Sequence, residues 1–115
     1  MATVTIKDLK IKALIGIEPY ELKRSQLIIL NISFEYDARH AARSESIKDA
    51  VDYKELEGQV QELLKHKRFK LAETLAQEVL MKVLADRRVT SATVTVTKPR
   101  ALRSAAGVSV TMSSP

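Results

Sequence analysis

Apolar and polar positions alternate with three different rhythms along this chain. Val4 and Ile6 share one parity, and Leu9, Ile11, Ala13, Ile15 and Ile17 share the other, with the changeover at Asp8. A period of two belongs to a strand with one buried face, and a change of parity within it belongs to a bulge or bend. A long strand over residues 4–17 follows. A second is cleaner: Ile28, Leu30, Ile32, Phe34 and Tyr36 hold one parity while Asn31, Ser33 and Glu35 hold the other. The period then lengthens. Tyr53, Leu56, Val60, Leu63 and Leu64 recur at helical spacing, and Asp52 with Glu55 forms a capping box that opens this helix. Leu71, Ala72, Leu75, Ala76, Val79, Leu80, Val83 and Leu84 predict a second helix from near Lys70. Alternation returns over Val89–Lys98, with Ala92, Val94 and Val96 opposed to Thr93, Thr95 and Thr97. Pro99 stops that strand because it has no amide proton to give the ladder. A loop carrying Arg100 and Arg103 leads to a last strand with Val108, Val110 and Met112 on one face.

The order β-β-α-α-β-β predicts an α+β domain over residues 1–115, four antiparallel strands backed by two helices on one face. The second, threonine-rich face and the edges of such a sheet call for association with further copies. Composition narrows the chemistry. The 115 residues include no cysteine, which excludes disulfides, thiolate nucleophiles and cysteine-based zinc sites. His40 and His66, distant in sequence and set among charged or small residues, read as surface side chains, so no metal centre is expected. The formal charge of +5, from 19 Lys and Arg against 14 Asp and Glu, favours anionic partners without selecting one. No apolar run approaches a membrane span and no leader is evident, so a cytoplasmic location is expected.

Lys98 stands out because it shares the parity of Ala92, Val94 and Val96 and therefore aims at the apolar face where the strand ends. A partly desolvated ammonium gives up its proton more easily, as a general base requires. From periodicity alone, a lysine snorkelling to solvent is the commoner case. Glu73 falls in the first turn of the second helix, where the dipole favours a carboxylate with or without a further role. Glu21 follows Gly16-Ile17-Glu18-Pro19-Tyr20 in a loop, and Tyr53 opens the first helix on its apolar stripe, the usual place of a core tyrosine.

Taken together these pieces resemble the dihydroneopterin aldolase family: Ile15-Gly16-Ile17 followed by Glu21, Asp52-Tyr53, Leu71-Ala72-Glu73, and Thr97-Lys98-Pro99 followed by Ala106-Gly107-Val108. The resemblance covers nearly the whole chain. It implies the tunnelling fold, assembled as stacked tetrameric rings into a homo-octameric barrel, with active sites between neighbouring subunits. It implies that Glu73 holds a dihydropterin substrate through paired hydrogen bonds, with backbone around Val51, Asp52, Leu71 and Ala72 completing the pocket. Lys98 would be the general base for cleavage of the C1′–C2′ bond, with Tyr53 of an adjacent subunit returning a proton and Glu21 ordering water or a hydroxyl beside Lys98. The dihydropterin imine would take up the electrons, so no cofactor is expected.

Dihydroneopterin triphosphate epimerases resemble this sequence in the same residues, and Arg100-Ala101-Leu102-Arg103 is similar to that branch. Lys98-Pro99 and Ala105-Ala106 are closer to the aldolase branch, which is the expectation adopted. A basic nucleic-acid-binding domain ranks below both, since aromatic residues make up only 4% of the chain and no strand carries a stacking platform.

Overall fold

The computed structural model describes residues 1–115, apart from the side chain of Leu22. In chain order the elements are β1 (Ala2–Ile15), α1 (Pro19–Lys23), β2 (Gln26–Tyr36), α2 (Arg39–Ser44), a 3₁₀ turn (Ile47–Asp49), α3 (Tyr53–Lys65), β3 (Arg68–Phe69), α4 (Ala72–Leu84), β4 (Val89–Lys98) and β5 (Val108–Ser113). The sheet runs β3-β1-β2-β4-β5. It therefore has five strands where four were expected, and β3 pairs in parallel with β1 through Leu14–Arg68 and Ile15–Phe69. Two residues are too few to leave an alternation in the sequence. The short helices α1 and α2 escaped notice for the same reason.

The two long strands form as their alternation dictates. Register between β1 and β2 slips between Ile6 and Leu9, and Asp8 sits there at φ 51° with its amide donating to Asn31 Oδ1 at 3.0 Å. The bulge accommodates one extra residue of β1, so that Ile6 before it and Leu9, Ile11, Ala13 and Ile15 after it all lie on the helix-covered side. The strand stops at Ile15, short of the expected residue 17, because Gly16 takes φ +135° and turns the chain; Ile17 is consequently exposed. Helices α3 and α4 cover one face. Leu56, Val60 and Leu64 of α3 and Leu75, Ala76, Val79, Leu80 and Val83 of α4 are buried against Ile28, Leu30, Ile32, Phe34, Val94 and Val96.

Two residues assigned to the apolar stripes do not join this core. Tyr53, first residue of α3, is 60% exposed, and Leu71, just ahead of α4, is 51% exposed. Side chains lean toward the N-terminus of a helix, so a residue in its first position overhangs the end and finds no partner there. On the other face, hydroxyls pair across strands: Thr93 with Ser113, Thr95 with Thr111 at 2.8 Å and Thr97 with Ser109 at 2.7 Å.

Asp52 caps α3 through Oδ1, which accepts from the amides of Lys54 and Glu55, each at 3.1 Å. The segment leading to this cap is tied to the start of β4, since Arg88 donates from one terminal nitrogen to the carbonyl of Ala50 at 2.6 Å and of Lys48 at 3.3 Å. Asp86 accepts the other guanidinium protons at 3.0 and 2.8 Å, and this hydrogen bonding holds its carboxyl below the usual range. Replacing Asp52 by Ala is expected to lower stability by about 1 kcal/mol, measurable as a lower urea midpoint.

Candidate functional site

The C-terminal end of β1, the start of β2 and the C-terminal end of β4 meet at one end of the sheet, since Ala13 pairs with Gln26 and Ile29 with Thr97. The amide of Gly16 donates to the carbonyl of Phe69 at 2.9 Å, so β3 and the Leu71, Ala72 and Glu73 that follow it belong to this end as well. Glu73 is exposed there, in the first turn of α4.

Lys98 does reach a partner. Its Nζ lies 3.1 Å from Glu21 Oε2, and the two side chains are only 19% and 12% exposed. Gln26 reinforces the pair, its Nε2 donating to the same Glu21 oxygen at 3.1 Å and to the carbonyl of Ile15 at 2.7 Å. The other carboxylate oxygen accepts the amide of Glu18 at 3.2 Å. Burial alone would push the Glu21 carboxyl up, but hydrogen bonds from Gln26, Lys98 and the Glu18 backbone outweigh it and hold the group below the ordinary glutamate value. The loop closes this tightly only because residue 16 has no side chain. A Cβ built there would stand 2.3 Å from Glu21 Cδ and 2.5 Å from Cβ and Oε1.

Gln26 was not singled out in the sequence, and Gly16 entered only as part of Ile15-Gly16-Ile17, although Gln26 did leave a signal. It occupies the parity of Ile28, Leu30 and Ile32, a polar residue where an apolar one belongs, as Lys98 does on β4. Beside the pair opens a cleft of ≈ 510 Å³ lined in part by Lys12, Tyr20, Arg24, Ser25 and Arg100.

Tyr53, Val51 and Asp52 are elsewhere. Arg88, which holds the Lys48 and Ala50 carbonyls, directly precedes Val89 at the opposite end of β4 from Lys98. Ten residues of strand correspond to roughly 30 Å, so within one chain Tyr53 does not meet Lys98. Val51 and Asp52 line a separate cleft of ≈ 280 Å³ with Arg88. His40, beside Asp49 at 3.4 Å, and His66, beside Glu62 at 2.8 Å, are exposed surface residues as expected.

An α+β sheet that carries a shielded carboxylate–ammonium pair beside a cleft has the means to bind a small molecule and exchange a proton with it. The dihydroneopterin aldolase family model matches residues 4–113, and the chain belongs to this family. It is 37% identical to a dihydroneopterin triphosphate 2′-epimerase of Escherichia coli over 112 residues, covering 97% of this chain and 93% of the relative. Its identity to the dihydroneopterin aldolase of the same organism is 30% over 110 residues, covering 96% and 90%. The crystal structure of Escherichia coli dihydroneopterin aldolase in complex with neopterin superposes with a TM-score of 0.94 at 29% identity, covering the whole of both chains.

Two measurements check the geometry. Because the Glu21 carboxyl is held down in the folded state, the stability it adds is complete above the unfolded glutamate value near 4.5 and is lost as pH falls through the folded one; Glu21→Gln should flatten that part of the urea-midpoint profile. Gly16→Ala, which forces a Cβ against Glu21 at positive φ, is expected to cost about 1–3 kcal/mol in the same assay.

Proposed function

We propose that this protein cleaves the C1′–C2′ bond of a dihydroneopterin side chain, giving 6-hydroxymethyl-7,8-dihydropterin and glycolaldehyde. The observation that carries the proposal is the shielded contact of Lys98 Nζ with Glu21 at the cleft, in a chain that belongs to this family. Lys98 takes the proton of the 2′-hydroxyl. The C2′–O electrons then form the aldehyde carbonyl, the C1′–C2′ bond breaks, and its electron pair moves into the conjugated imine of the dihydropterin. Glycolaldehyde departs, and the enamine left behind accepts a proton at carbon. The pterin is its own electron sink, so the step calls for neither a metal nor a lysine imine. Glu21, fixed by Gln26 and the Glu18 amide, orders a water or substrate hydroxyl beside the amine. Glu73 accepts the pterin N–H and amino hydrogens in a paired fashion, with Leu71 and Ala72 backbone next to it.

Proton return to carbon falls to Tyr53 of a neighbouring subunit. The roughly 30 Å between the two ends of one chain supports this division, as do the exposure of Tyr53 and the uncovered hydroxyl face of the sheet. Stacked tetramers forming an octamer would bring one subunit's Val51, Asp52 and Tyr53 to the next subunit's Lys98.

A second reading is that the cleaved fragment re-adds with inversion at C2′ of the triphosphate. The higher identity to the epimerase, 37% against 30%, favours it. Following glycolaldehyde release and C2′ inversion with 7,8-dihydroneopterin and its triphosphate separates the two.

Lys98→Ala is expected to abolish turnover of both compounds while neopterin binding largely survives, and Glu73→Ala to remove mainly binding; equal loss of binding in both variants would refute the assigned roles. Co-expressing Lys98→Ala with Tyr53→Phe chains should restore part of the activity missing from each alone. Recovery would be nil if one chain supplied the whole site.

A further inference from the structure

The stretch of chain that leads into α3 has one polar tie to the sheet, and Arg88 supplies it. Its Nη1 donates to the carbonyls of Ala50 and Lys48, while among the described residues every other hydrogen bond of residues 46–50 stays within residues 44–50. Burial of Val51 anchors one side chain; the two carbonyl bonds fix the heading of the backbone that reaches it. Arg88 is itself held. Asp86 accepts from its Nε at 3.0 Å, its Nη2 at 2.8 Å and its backbone amide at 3.0 Å, so the planar fork has one orientation in which to present its remaining donors. Ala50 stands three residues before Tyr53, at most about 10 Å of extended chain, and Asp52 between them sets where α3 starts. A change of heading at Ala50 is therefore passed on to Tyr53, and the exposed phenol has no core packing to correct it.

We infer that Arg88 is a positioning residue for dihydropterin turnover in the neighbouring subunit: by gripping the Lys48 and Ala50 carbonyls it sets where Tyr53 enters the site that the neighbour's Lys98 completes. The inference rests on the proposed sharing of the site between subunits and assigns the residue that fixes the borrowed half. Arg88 lies at the opposite end of β4 from Lys98 and does not serve the Lys98 of its own chain. Its effect follows the Tyr53 that its own chain lends. A residue that merely stabilises the fold has no such preference.

The test uses mixed assemblies of Lys98→Ala and Tyr53→Phe chains, in which each restored site takes Lys98 from a Tyr53→Phe chain and Tyr53 from a Lys98→Ala chain. Arg88→Met is then added to one type of chain at a time. Placed in the Lys98→Ala chain, it should lower the restored kcat for 7,8-dihydroneopterin about tenfold more than when placed in the Tyr53→Phe chain, since a misplacement of about 1 Å is worth up to about a hundredfold. Arg88→Lys keeps the charge without the fork and should show the same asymmetry. Equal losses from the two placements, no loss from either, or no activity restored by mixing would overturn the inference. Hydrogen exchange gives a reading free of turnover: in Arg88→Met the amides of Lys54 and Glu55, which Asp52 holds, should exchange faster than in the native protein while those of α4 keep their rates. If the native protein turns over no dihydropterin, the proposed reaction fails, and faster exchange still upholds the hold of Arg88 on this segment. Unchanged exchange in a protein that does turn over dihydropterin overturns the inference and leaves the reaction standing.

Discussion

The carboxylate of Glu21 rests against the bare α-carbon of Gly16, and most of what is distinctive about this end of the sheet follows from that contact. Any side chain at residue 16 would occupy the space of the glutamate. With the space free, α1 folds back on the end of β1, and one carboxylate gathers a lysine from β4, an amide side chain from β2 and a backbone amide from its own loop. The hydrogen bonds compensate the loss of water around both charges. The ammonium of Lys98 is thus held against Glu21, which lines the cleft, where it would otherwise wander.

Much of the fold was legible because one side of the sheet is buried and the other is not. Ile28 to Phe34 and Ala92 to Val96 alternate without a break and lie in the register that this pattern demands, which slips only at Tyr36, paired with Val89. The shift of parity at Asp8 announced the bulge. What the pattern missed was too short to be periodic, namely β3, α1 and α2, or lay at a helix end, as Tyr53 and Leu71 do. Lys98 and Gln26 were legible by the same logic that finds the core, since each places a polar group where an apolar parity runs out. Only Lys98 was read that way. That Glu21 would reach Lys98, 77 residues away in sequence, rests on the turn at Gly16 and has no periodic trace.

The far end of the sheet is as well fixed as the near one, and Arg88 explains why. Its guanidinium joins the turn before β4 to the strand-free stretch that precedes α3, and Asp52 then sets where that helix begins. Tyr53 is left standing outward from a rigid support. An exposed aromatic on a well-fixed helix end loses little conformational freedom when another surface packs against it.

The bulge in β1 separates two properties that usually go together. Deleting Asp8 would leave every apolar side chain of that strand on its proper side, since the pairing would simply become regular. The ribbon, however, would lose the local kink and added twist that an unpaired residue imposes. Curvature is therefore written in this strand independently of the core pattern, at one aspartate whose removal the interior would scarcely register.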